Sequence, residues 1–152
     1  MVSKEVEKLL LKVQKPGRYV GGELNEVIKD KKKVDCRFAF CFPDTYEVGM
    51  SHLGMKILYS LMNAVPYIWC ERVFAPWVDM EEEMIKHNIP LYALESGDPV
   101  SDFDFIGFTL QYELSFTNML NMLRLSGVPI KSCDRKELKN TVVAGGPCAC
   151  NP

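Results

Sequence analysis

No CxxC pair occurs in the sequence, and its absence argues against a zinc site of the usual spacing. The six cysteines, Cys36, Cys41, Cys70, Cys133, Cys148 and Cys150, are irregularly spaced, and most lie in apolar runs where cysteine acts as a small hydrophobe. That pattern speaks against a disulfide framework. Charge of one sign is also lacking. The net charge is −2, which gives no electrostatic footprint for nucleic acid or an anionic membrane. The one basic run, Lys31-Lys32-Lys33, sits beside Asp30 and Asp35 and reads as a solvated loop. No stretch approaches the ~18 apolar residues of a membrane span. The Lys/Glu-rich start, Met1 to Lys15, lacks the apolar core of a signal peptide. There is no internal repeat and no low-complexity segment. Together these absences lead us to expect a cytoplasmic protein with neither nucleic acid nor membrane as a partner.

What is present fits one domain with a real core: 47% hydrophobic and 25% charged residues in a chain of 152. Val6, Leu9, Leu10 and Val13 recur at helical spacing, predicting a helix over residues 3–14 that ends at Lys15-Pro16-Gly17. Residues 17–35 form a connector, so residues 1–35 read as an arm and 36–152 as the α/β domain. Arg37 to Phe42 (RFAFCF) is a nearly continuous apolar run, the mark of a strand buried on both faces. Leu53, Ile57, Leu58, Leu61, Met62 and Val65 then share a helical face. A second strand is expected near 68–75. A helix follows at about 77–88, with Trp77, Met80 and Met84 inward. LYALE (91–95) looks strand-like. Phe103 to Leu110 reads as a central strand, and Ser115 to Ser126 as a helix with Phe116, Met119, Leu120 and Leu123 on one face. Met122 and Leu125 fall beyond that face. TVVA (141–144) is the last strand, before Gly145-Gly146-Pro147. Strand followed by helix, repeated about every 30 residues, predicts a doubly wound, mainly parallel sheet with right-handed crossovers.

In such a sheet, ligands bind beyond the carboxyl ends of the strands, at the switch point in strand order. Those ends carry Pro43-Asp44-Thr45-Tyr46, Pro76-Trp77-Val78-Asp79, Thr109-Leu110-Gln111-Tyr112-Glu113 and Gly145-Gly146-Pro147. Helices start just after the first three, so backbone N–H groups face the same crevice. A pocket there would be lined by Asp44, Tyr46, Thr109, Gln111, Glu113, Gly145 and Gly146. Each also has a plain structural reading. Asp44 can cap a turn, Tyr46 can be a half-buried loop aromatic, Gln111 and Glu113 can cap the following helix, and the glycine pair can be a tight turn.

The run FPDTYEVGMSHLGMKILY (Phe42 to Tyr59) resembles the start of a family of uncharacterised bacterial radical S-adenosylmethionine (SAM) proteins with a cobalamin-binding-like N-terminal domain. RYVGGE (18–23), ERVFAPWVDME (71–81), LES (94–96), GFTLQYELS (107–115) and AGGPCACNP (144–152) resemble the same family in the same order. The resemblance implies a cobalamin-binding-type, flavodoxin-like fold. In cobalamin domains a DxHxxG motif follows the first strand, and its histidine can ligate cobalt. A hydroxyl at a strand end and a later glycine pair cradle the nucleotide tail. Here Asp44 and Gly49 match that motif and Tyr46 stands at the histidine position. Thr109 and Gly145-Gly146 correspond to the hydroxyl and the glycine pair. A phenol, with a free pKa of about 10, is a poor cobalt ligand. His52 lies nearby, beside Gly54 and at the start of a helix, and reads as a capping or packing residue.

Radical SAM chemistry also needs a CxxxCxxC motif for its 4Fe–4S cluster, and this sequence has none. The chain ends just after the glycine pair, where a doubly wound domain would run on into another helix. We therefore expect a shortened accessory domain, inactive alone, with the cluster, SAM and the catalytic barrel of a parent enzyme downstream. It would bind a corrinoid or substrate at its strand ends and pack on that barrel. A different reading is a structural or interaction domain that kept the fold and lost cobalamin. A flavodoxin- or response-regulator-like module is disfavoured. Only one acid, Asp44, follows the first strand, and no Ser/Thr-rich phosphate loop follows it. Uncovered apolar surface is expected to make the chain self-associate or hold a neighbour's N-terminal helix.

Overall fold

The apolar run at Cys36–Phe42 (β1) is paired along both of its edges, as a strand without polar alternation requires. The computed structural model describes residues 3–149. In it β1 lies parallel to Ile68–Phe74 (β2) on one side and to Phe105–Thr109 (β3) on the other. Thr141–Gly145 (β4) extends the sheet parallel to β3, giving the order β2-β1-β3-β4. This is the expected doubly wound α/β fold of the flavodoxin-like kind.

The helices fall on both faces. After β1 come α2 (Tyr46–Ser51) and α3 (Leu53–Ala64), and α3 packs on one face with Phe40, Phe42, Cys70 and Phe74. The opposite face carries α1 (Lys4–Leu10), α4 (Val78–His87) and α5 (Ser115–Leu125) around a core that includes Ala39, Cys41, Val73, Ile106 and Phe108. The chain leaves β1 toward β2 and then returns across it to β3. The switch point in strand order therefore lies between β1 and β3. Among the described residues no helix is long and apolar enough to cross a membrane.

Several sequence expectations need correction. α1 stops at Leu10, with Leu11 as its C-cap, rather than running to residue 14. LYALE forms no strand; it joins one isolated bridge, Tyr92 to Pro99, and runs beside the outer edge of β2. Trp77 caps α4 from outside and is half exposed beneath the Arg18 guanidinium.

α3 is turned over relative to its apolar pattern. Met55, Tyr59 and Asn63 face inward, while Leu53, Ile57, Leu58 and Leu61 face solvent. Polar anchors set this rotation. The Asn63 amide exchanges two hydrogen bonds with the Cys70 backbone, at 2.9 and 3.0 Å, and the Tyr59 hydroxyl accepts one from Val27 N–H. α5 behaves alike. Met122, Leu123 and Leu125 are buried, whereas Phe116 and Leu120 are exposed. Its rotation follows Asn118, which donates to the Pro43 carbonyl, and Asn121 and Arg124, which both reach Glu81. His52 does cap: its Nδ1 accepts from Met55 N–H at 3.1 Å and starts α3.

Candidate functional site

The carboxyl ends of β1, β3 and β4 converge, and the chain's own groups span the gap between them. Asp44, two residues beyond β1, accepts the Tyr112 hydroxyl from beyond β3. Its other oxygen accepts Thr45 N–H at 2.7 Å. Gln111 donates to the Thr109 hydroxyl. Glu113 is exposed, and neither it nor Gln111 caps α5, whose N-cap is Leu114 without a side-chain bond. The glycine pair divides into two roles. Gly146 has φ +103°, and a Cβ there would stand 2.6 Å from the Leu110 carbonyl oxygen. A Cβ on Gly145 would meet nothing within 4 Å. Gly146 is thus demanded by the turn, while Gly145 leaves open space beside the strand end, its carbonyl accepting Leu110 N–H at 2.7 Å.

Tyr46 and Gly49 lie on the other side of β1. Tyr46 packs edge-on against Phe74, and its hydroxyl donates to Glu23 of the arm at 2.8 Å. Burial, and then Glu23, push its pKa up to about 12, so it remains a neutral phenol. Gly49 is where α2 presses onto the sheet, since a Cβ there would lie 2.2 Å from the Phe74 ring. The residue at the histidine position therefore offers no ligand at the strand-end crevice. The residues present do not fit a histidine-type cobalt site. Among the described residues no group of three or more His, Cys, Asp or Glu side chains gathers as metal ligands, and the thiols of Cys41 and Cys70 sit in the two cores with their pKa values raised by burial.

Sequence reasoning missed the chain's most buried polar system. Glu71 and Arg72 are neighbours on β2, so strand geometry sends them to opposite faces. Arg72 is enclosed on the α3 face. Its Nε donates to Glu95 at 2.5 Å, its Nη2 to Glu23 at 2.7 Å, and its guanidinium lies over the Tyr59 ring. Glu71 is fully buried on the other face and receives Arg37 at 2.5 Å, whose guanidinium stacks on Phe103. The segment 94–96 clips both networks to the edge of β2. Leu94 N–H bonds the Arg72 carbonyl, Glu95 accepts Arg72 N–H, and Ser96 N–H bonds Glu71. This closes an edge that would otherwise offer free backbone groups. The signal was available: Glu71-Arg72 interrupts an apolar strand, and charges within a buried strand need partners. A cavity of about 730 Å³ opens above Arg72, between arm residues 23–27 and α2–α3. The charge on its floor is already matched within the chain.

Three stretches distant in sequence, RYVGGE, ERVFAPWVDME and LES, thus meet at Arg72 through Glu23 and Glu95. A profile of the N-terminal part of radical SAM proteins matches residues 54–152, well over half of the chain. The chain belongs to this radical SAM N-terminal family. An uncharacterised protein of Methanocaldococcus jannaschii is 26% identical to it over 110 residues, covering 72% of this chain and 19% of that protein. The chain thus spans about a fifth of the length of that relative. No solved structure matches.

Proposed function

We propose that this domain is a non-catalytic accessory module of a larger radical SAM enzyme, and that it works by docking on the catalytic portion rather than by holding a corrinoid. In this reading the 4Fe–4S cluster and SAM belong to a barrel elsewhere in the polypeptide. The observation that carries it is the self-contained strand-end edge. Tyr112 bridges to Asp44 across the switch point, and Tyr46 is committed to Glu23 beneath the arm. The groups that a cobalamin domain would turn toward its cofactor are used here to fasten loop to loop and arm to core. We also place the protein in the cytoplasm, a reading supported by five unpaired cysteines among the described residues.

Titration of the chain, and of the full radical SAM protein, with cob(III)alamin tests this. The expected spectrum is the sum of the separate components. A saturable shift of the corrinoid bands would overturn the docking reading.

A second reading has its own support. Gln111, Glu113 and the open space beside Gly145 leave polar side chains along one accessible edge, suited to a small polar substrate handed to the barrel. It predicts that Tyr112→Phe raises the KM of the full enzyme, where docking alone predicts no change in KM.

A further inference from the structure

Parallel sheets are normally covered on both faces. In this domain three helices cover one face, while α2 and α3 lie on the other, over β1 and β2. The cluster beneath α3 contains no residue of β3 or β4. Strand alternation sends Phe105, Gly107 and Thr109 of β3 to this face, and their register partners Thr141, Val143 and Gly145 of β4 with them. Phe105 is 38% exposed and Val143 40%. Phe38 leans across Gly107, where a Cβ would strike its ring at 2.2 Å, and stacks on Phe105.

α3 adds a second wall. At 100° per residue, Leu53, Ile57 and Leu61 lie opposite its buried face, and Leu53 and Leu61 are 69% and 61% exposed. Lys56, Ser60 and Ala64 line the cavity shared with the arm, on the β2 side. Leu58 and Leu61 therefore form the flank toward the bare half-sheet. Lys56 is the one charged residue in α3, and it lies on the far flank. A helix apolar on nearly all sides belongs to a buried position.

We infer that the groove between the Leu58–Leu61 flank of α3 and the Phe38–Phe105–Val143 surface is the docking seat for an amphipathic helix of the catalytic portion of the same polypeptide. The inference rests on the docking reading above and gives it a place. Three observations select this occupant. Phe105 and Val143 are left exposed on a half-sheet that no buried cluster of the described residues covers on this face, where a parallel sheet is normally covered by a helix. It is uncharged, which suits a permanent rather than an exchanging contact. The relative from Methanocaldococcus jannaschii has about four-fifths of its length outside the shared stretch, ample to supply such a helix.

Hydrogen–deuterium exchange on the 152-residue chain and on the full radical SAM protein tests the inference, with Leu58→Glu/Val143→Glu as the variant. Both substituted side chains are exposed in the chain alone, so the variant is expected to fold as the wild type does. Peptides covering residues 53–64 and 141–145 are expected to exchange at least tenfold more slowly in the full protein, and the variant is expected to abolish that protection. If only strand-end peptides around residues 44 and 109–113 are protected, docking stands and this seat is wrong. If no peptide gains protection, both readings fail. If the two segments are already protected in the isolated chain, in proportion to its concentration, the seat belongs to a second copy and the inference is overturned.

Discussion

The Tyr46 hydroxyl donates to Glu23 across 2.8 Å, joining the loop after β1 to the arm that precedes it. The same carboxylate reaches Arg72 through its other oxygen at 2.7 Å. A residue placed by its motif at a cofactor crevice is instead a tie between arm and core. Removing the hydroxyl leaves a charged acceptor short of one donor, worth about 1.5–3 kcal/mol. Tyr46→Phe is expected to lose about that much stability in urea unfolding. Tyr46→His is expected to gain no nitrogen-ligated corrinoid spectrum, because the ring at this position faces Glu23 and Phe74. A cobalt–imidazole spectrum in that variant would contradict the geometry.

Arg72 is the point on which the arm, α3 and segment 94–96 converge. Arg72→Met would leave Glu95 and Glu23 facing a buried apolar group, at a cost of about 3–5 kcal/mol. Arg72→Met combined with Glu95→Leu is expected to recover much of that loss, since both charges then leave the interior. Chemical denaturation of the two variants checks this; a double variant no more stable than the single would contradict the pairing.

The strands were largely legible in the sequence because a parallel strand reads as a short apolar run, and β1, β2, β3 and β4 all lie where such runs occur, although Glu71-Arg72 interrupts the run in β2 and β4 is largely exposed. The faces of the helices were not. α3 and α5 carry apolar side chains nearly all round, so periodicity could not choose between Met55–Tyr59 and Ile57–Leu61, or between Met122 and Phe116. Asn63, Tyr59, Asn118 and Asn121 made the choice, each through a partner distant in sequence. The candidate site divided for a similar reason. Asp44, Thr109, Gln111 and the glycine pair are placed by strand ends, where Asp44 accepts Tyr112, Gln111 donates to Thr109 and Gly145 pairs with Thr109. Tyr46 follows the first turn of α2 toward an arm whose path no local pattern encodes.

The two glycines give a sharp contrast. Gly146→Ala forces a side chain into a left-handed backbone at φ +103° and against the Leu110 carbonyl. A loss of about 1–3 kcal/mol is expected. Gly145→Ala enters open space and is expected to stay within about 0.5 kcal/mol of wild type. Thermal unfolding of the pair checks both, and equal effects would contradict the assignment of the turn.

Burial raises the Glu95 pKa from its ordinary 4.5 to about 7, against the opposing pull of Arg72. Between those values the native chain holds a proton that the unfolded chain has released. Stability from this group is therefore full below pH 4.5 and declines as pH rises toward 7. Glu95→Gln stays neutral throughout and is expected to flatten that part of the profile. Urea midpoints measured from pH 5 to pH 7.5 check it; parallel profiles for wild type and variant would contradict the sign.

The central claim is that this module docks on the catalytic portion of a radical SAM enzyme. Sedimentation velocity of the 152-residue chain, mixed with the separately purified and cluster-reconstituted remainder of that protein, tests it most directly. The account predicts a one-to-one complex that persists at micromolar concentration and is lost with Leu58→Glu/Val143→Glu. Two species sedimenting independently, with the remainder's iron–sulfur absorbance intact, would contradict it.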